Sequence, residues 1–213
     1  MNRATALKAG YTTSARRLAS QSMTSLAQTR VSPNALTASG VTLCIAASVL
    51  VYFEYRQELF FFWLGAFVFV VGSILDILDG ALARAGGKTT PFGAFLDSTT
   101  DRISEGFMLG AIGLIFMRHA HEAALAFCFA AIAGSFLVSY TRARAEALGL
   151  RGDVGIGSRA ERVVVITGGL VLAPWGVLPW AIYLLTATAW VTVLQRVLHV
   201  RRELRRRGSS PPA

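Results

Sequence analysis

The chain has 213 residues; 54% are hydrophobic, only 15% are charged, and the formal net charge is +9. A soluble domain of this size carries about 25% charged residues, so the composition excludes an ordinary soluble globular protein and points to lipid. In that setting the cations are expected in cytoplasmic loops facing anionic headgroups, with no nucleic-acid partner implied.

The first 34 residues contain no apolar run of the kind a signal peptide needs. Between about 12 and 30, Arg16, Arg17 and Arg30 mix with Leu18, Met23 and Leu26. That mixture predicts a short amphipathic helix lying on the membrane surface. Six apolar segments follow, near 35–53, 60–84, 92–117, 122–147, 160–176 and 178–200. Each is close to the roughly 20 residues that a helical span requires. The predicted fold is therefore an all-α integral membrane protein: six transmembrane helices plus the N-terminal interfacial helix. Its domain plan is a cytoplasmic segment 1–34, one six-helix domain 35–203 and a disordered basic tail 204–213. Cys44 and Cys128 lie in apolar runs and imply packing, with no disulfide framework. Trp63, Trp175, Trp180 and Trp190 read as interface anchors or packing, and His119 and His121 as solvated residues of an outer loop.

Placing the N-terminus inside puts almost every Lys and Arg on the cytoplasmic side. Only Arg56 and Arg118 fall outside. Both termini are then cytoplasmic in a multi-pass protein of the cell membrane.

The second and third segments carry DILDGALARAGGKTTPFGAFLDSTTD, with aspartates at 76, 79, 97 and 101. Asp76 and Asp79 are three apart and Asp97 and Asp101 four apart, so each pair shares a helix face. An antiparallel hairpin through AGGKTTP brings the two pairs to one depth. Carboxylates near a bilayer are costly and mark function. All-oxygen ligation suits Mg²⁺, Mn²⁺ or Ca²⁺, and four carboxylates suit a two-metal site of the kind used for displacement at phosphorus. The competing structural reading pairs these aspartates with Arg84 and Arg102. A functional competitor is an ion or proton pathway, which leaves Gly80, Arg84 and Thr90 unexplained.

Asp76-x2-Asp79-Gly80-x2-Ala83-Arg84-x8-Gly93-x3-Asp97-x3-Asp101 resembles, without a gap, the signature of the CDP-alcohol phosphotransferases. The resemblance implies a homodimeric membrane enzyme that takes a CDP-linked donor and an alcohol acceptor and releases CMP. It implies two Mg²⁺ per subunit, with Mn²⁺ an alternative, held by Asp76, Asp79, Asp97 and Asp101. Asp101 would also be the catalytic base. Gly80, Arg84 and Thr90 would contact the CDP part, and so would Asn34, Ala35, Leu36 and Thr37 of SPNALT.

LDSTTDRISEG, SYTRARAEALGLRGD and RAERVVV are similar to the branch that makes phosphatidylinositol phosphate from CDP-diacylglycerol and 1D-myo-inositol 3-phosphate. That branch implies a phosphate pocket on Arg142, Arg162 and Arg196. Arg142 stands where lysine is usual, and both residues bind phosphate. Glycerol phosphate is the alternative acceptor.

Overall fold

A computed structural model describes residues 32–208 apart from 153. The expected interfacial helix and the end of the basic tail lie outside the described residues. Within them, every regular element is helical. The α-helices are α1 (Pro33–Tyr52), α2 (Glu58–Ala85), α3 (Pro91–Arg118), α4 (Glu122–Ala147), α5 (Arg159–Val171) and α6 (Leu178–Gly208). Short 3₁₀ turns follow α1 at Phe53–Tyr55 and α5 at Ala173–Trp175.

The boundaries follow local chemistry. Ser32 caps α1 by accepting from the Ala35 amide at 3.2 Å. Thr90 caps α3 by accepting from the Gly93 amide at 3.0 Å. In both helices proline occupies the first turn, where a missing N–H costs nothing. Ser158 and Glu161 form a capping box that starts α5. Each of the six apolar segments thus holds one α-helix.

Four of the helices, α1, α2, α4 and α6, are long and apolar enough to cross a membrane. The other two differ for separate reasons. α3 has 28 residues, but Asp97, Asp101, Arg102 and Glu105 fall within four of its turns. α5 has only 13 residues, a rise of about 20 Å. The expected segment 160–176 is broken because Pro174 cannot continue the ladder and Gly176 turns the chain at φ 75°.

α1 packs along α2 and α3, α3 along α4, α4 along α6, and α5 between α2 and α6. Met108, Leu109 and Ile112 of α3 are fully buried, with Ile166 and Leu170 of α5 and Ile182 and Leu185 of α6. At the end remote from the aspartates, Arg118 donates to the buried Glu54 at 2.6 Å and its guanidinium stacks on Tyr52 and Tyr55. His119 joins this group, with Nε2 3.3 Å from Glu54 Oε1. The α3–α4 loop is therefore tied to Glu54 through Arg118 and His119, although the His119 side chain stays 52% exposed.

The α1–α2 contact positions the site. Gly40 and Gly72 face each other so closely that a Cβ on Gly72 would lie 2.8 Å from both the Gly40 carbonyl and Cys44 Sγ. Small residues permit this backbone approach between helices in lipid. The contact lies one turn before Asp76 and carries Thr37 to Asp79. Gly72→Val should overpack the crossing by about 1–3 kcal/mol. A lowered thermal midpoint in detergent, measured by tryptophan fluorescence, is the expected result; an unchanged midpoint would contradict the contact.

Candidate active site

Asp76 and Asp79 come from the last turns of α2, and Asp97 and Asp101 from the first turns of α3. The antiparallel hairpin sets these turns side by side. One carboxylate oxygen from each of Asp76, Asp97 and Asp101 falls within 4.8 Å of the others. Asp79 stands one turn further along α2. The Thr37 hydroxyl donates to its Oδ2, while its Oδ1 is buried without a hydrogen-bond partner. Asp76 and Asp79 are only 4% and 3% exposed. An orphaned buried oxygen is costly, and hard oxygen donors at this spacing fit a hard divalent cation. The donor set therefore fits a divalent metal.

The cation that enters this cluster is Arg159, on the first turn of α5. Its guanidinium donates to Asp76 Oδ2. The same Nη1 lies 2.8 Å from Asp101 Oδ1, within ion-pair reach but not aligned as a hydrogen bond. Arg102 Nη1 is 3.9 Å from Asp101 Oδ2. Of the cations that the competing structural reading pairs with the aspartates, Arg102 is thus near one of them, while Arg84 folds back over Gly80. A Cβ on Gly80 would meet Arg84 Nη1 at 3.3 Å.

Thr37 is buried against Asp79, whereas Asn34, Ala35 and Thr90 are exposed and Leu36 is half-buried. Thr90 also has the structural task of capping α3.

The three arginines expected to bind acceptor phosphate do not form an open cluster. Arg162 is 7% exposed and bidentate to Glu105, at 2.7 and 3.0 Å, and it donates to the Gly157 carbonyl at 2.9 Å. Ser135 of α4 completes this set by donating to Glu105 at 2.8 Å. Arg196 is also buried and donates to the carbonyls of Val138 and, at 2.8 Å, Val154. Arg142 is exposed and pairs with Glu146 at 2.9 Å. What they share is the connection between α4 and α5. Arg162 and Arg196 hold its carbonyls, and a Cβ on Gly152 would meet the Arg142 carbonyl at 2.8 Å.

Two participants were missed by the sequence reading. Glu105 extends the Asp97–Asp101 face by one more turn, a four-residue step that was visible in the sequence. Arg159 gave no such signal, because its partners are 58 and 83 positions away. A cavity of about 10 Å³, lined by Asp101, Glu105, Arg159 and Arg162, separates the aspartates from the Glu105–Arg162 pair. It has room for about one water molecule.

The chain matches the CDP-alcohol phosphatidyltransferase family over residues 30–200. It is 35% identical over 180 residues to archaetidylinositol phosphate synthase of Pyrococcus horikoshii, covering 84% of this chain and 88% of that one. It is 38% identical over 187 residues to phosphatidylinositol phosphate synthase of Streptomyces avermitilis, covering 81% and 73%. Its structure is similar to the crystal structure of Mycobacterium tuberculosis phosphatidylinositol phosphate synthase with CDP-DAG bound. That likeness has a TM-score of 0.75 and 31% identity, covering 86% of this chain and 94% of the other. The same mycobacterial enzyme has been solved with manganese and citrate, and the likeness there has a TM-score of 0.74 with 31% identity over 85% and 88% of the two chains. The carboxylate cluster on α2 and α3 and the match over most of the chain lead to one conclusion: this protein belongs to the CDP-alcohol phosphatidyltransferase family.

Proposed function

We propose that the protein transfers the phosphatidyl group of CDP-diacylglycerol to a hydroxyl of 1D-myo-inositol 3-phosphate, giving phosphatidylinositol phosphate and CMP. The observation that carries this reading is the convergence of Asp76, Asp97 and Asp101 at the end of one helix hairpin. The acceptor assignment is supported by the two synthases named above, which differ in the lipid half and share inositol phosphate.

Asp76, Asp79, Asp97 and Asp101 are the residues that would hold two Mg²⁺, with Mn²⁺ an alternative. The metal would supply neutralisation of the donor pyrophosphate and of the departing CMP. The protein's own residues do the remaining work. Thr37 fixes the rotamer of Asp79. Arg84, laid over Gly80 near the end of α2, would meet the donor's phosphates, with Gly80, Thr90 and residues 34–37 as the other expected donor contacts. Asp101 takes the proton of the acceptor hydroxyl. The acceptor oxygen then bonds to the phosphatidyl phosphorus as the bond from that phosphorus to CMP breaks.

The excess of Lys and Arg at the aspartate end supports a cytoplasmic active site, with both termini on that side. Six membrane-crossing helices fit this arrangement if polar α3 is shielded by its neighbours and short α5 reaches across with the Ala173–Trp175 turn. A homodimer is the assembly expected here; the apolar face of α3 and α4, where Phe107, Phe136 and Tyr140 line an open groove of about 1210 Å³, would meet either lipid or a second copy.

The direct test is CMP release from CDP-diacylglycerol by purified protein offered inositol phosphate, inositol, glycerol phosphate or serine. Inositol phosphate should be the preferred acceptor, with activity lost in chelator and restored by Mg²⁺ or Mn²⁺. Preference for glycerol phosphate would reassign the acceptor, and full activity in chelator would remove the metal role. Asp101→Asn should retain CDP-diacylglycerol binding while turnover falls by roughly 10²–10⁴, the usual worth of a positioned base; near-normal turnover would place the base elsewhere. The arginines should separate by burial. Arg142→Ala should raise KM for inositol phosphate about tenfold or more, as expected for a lost charged hydrogen bond, without altering the thermal midpoint. Arg162→Ala should lower that midpoint as well, since it leaves Glu105 buried and unpaired at a cost of about 3–5 kcal/mol.

A further inference from the structure

We propose that Arg159 is the exchangeable cation of the carboxylate cluster: its guanidinium competes with a divalent metal for Asp76 and Asp101, and swings away when the metal binds. The inference rests on the metal-dependent reading above and concerns how the site is loaded.

Three observations carry it. First, Arg159 engages two of the three carboxylates whose oxygens form the candidate metal site, one by a hydrogen bond and one by an ion pair at 2.8 Å. A dication among these oxygens would sit within a few ångströms of the guanidinium, and the two like charges would repel. Second, arginine cannot respond to an arriving cation by losing its proton. The like charges must separate, so the side chain has to move. Third, Arg159 is placed to move. It stands on the first turn of α5, its side chain is 26% exposed, and both of its carboxylate contacts pass through one nitrogen, Nη1. Arg162, one turn later, is the contrast. It is 8% exposed at the side chain, bidentate to Glu105 and bonded to the Gly157 carbonyl. One arginine is built to stay and the other to leave.

Arg159 is in this view a positioning residue. It holds Asp76 and Asp101 together across the α2–α3 hairpin, keeping their oxygens at metal-ready spacing, and hands them over. Its withdrawal also releases Asp101, which the reaction needs as a base.

The test measures metal binding and stability, not turnover. Purified full-length protein in detergent is titrated with Mn²⁺, with free Mn²⁺ read by electron paramagnetic resonance. Arg159→Gln should bind Mn²⁺ roughly tenfold more tightly than the wild type, a size typical of coupling between contacting groups. In chelator its thermal midpoint should fall below that of the wild type, and saturating Mn²⁺ should close the gap. Arg159→Lys, which keeps the charge but carries it on a shorter side chain as a more strongly hydrated ammonium, should be intermediate on both readings and covers the case in which the glutamine variant does not fold. Equal or weaker Mn²⁺ binding by the variants, with normal binding by the wild type, would overturn the exchange and leave the proposed reaction standing. Absence of Mn²⁺ binding by the wild type would instead remove the metal reading itself.

Discussion

Three carboxylates with oxygens within 4.8 Å of one another dominate the energetics of this chain. Each pair, if ionised, repels by roughly 3.5 kcal/mol at an effective dielectric of about 20. Three such pairs together rival the entire stability of an ordinary domain, about 5–15 kcal/mol. The surrounding structure can be understood as the means of keeping them close despite this. Gly40 and Gly72 press α1 onto α2 so that Thr37 can hold Asp79. The α2–α3 hairpin fixes the register between the two pairs. Positive charge is brought in from α5, far along the chain.

The arginines divide this labour by burial. Arg162 and Arg196 are enclosed and bind backbone carbonyls of the α4–α5 connection, so they shape the wall beside the site. Glu105 determines where Arg162 lies, and Ser135 determines where Glu105 lies, which couples α3, α4 and α5 through one polar set. Removing Glu105 or Arg162 would leave the other buried without its charge partner. Arg142 and Arg84 remain at the surface, where a phosphate can approach them.

Much of the site was legible in the sequence because its spacing is local. Asp76 with Asp79, and Asp97 with Asp101, declare shared helix faces through three- and four-residue steps, and the intervening glycines and threonine declare a tight turn. The six helices were legible from apolar length. Their capacity to span was less so, since α3 trades hydropathy for the site's charges and α5 is cut short by Pro174 and Gly176. Arg159 was not legible as a member of the site. A cation at a helix start, in a chain rich in arginine, looks like any other until the fold sets it against Asp76. The commitments of Arg162 and Arg196 were hidden for the same reason: their types were evident, but their partners depend on tertiary contact.

The staple at the far end of the molecule has a mechanical meaning. Arg118, clamped on Glu54 and stacked on Tyr52 and Tyr55, joins the remote ends of α1 and α3 and acts as a fulcrum. From Arg118 back to Asp97, α3 is a lever of roughly 30 Å. A tilt of about 5° about that fulcrum carries the Asp97 carboxylate through roughly 2–3 Å, comparable to the whole length of a metal–oxygen bond. Small angular play at this joint is thereby amplified at the aspartate end, and the tightness of an aromatic and ionic contact remote from the carboxylates sets how sharply they can be aimed.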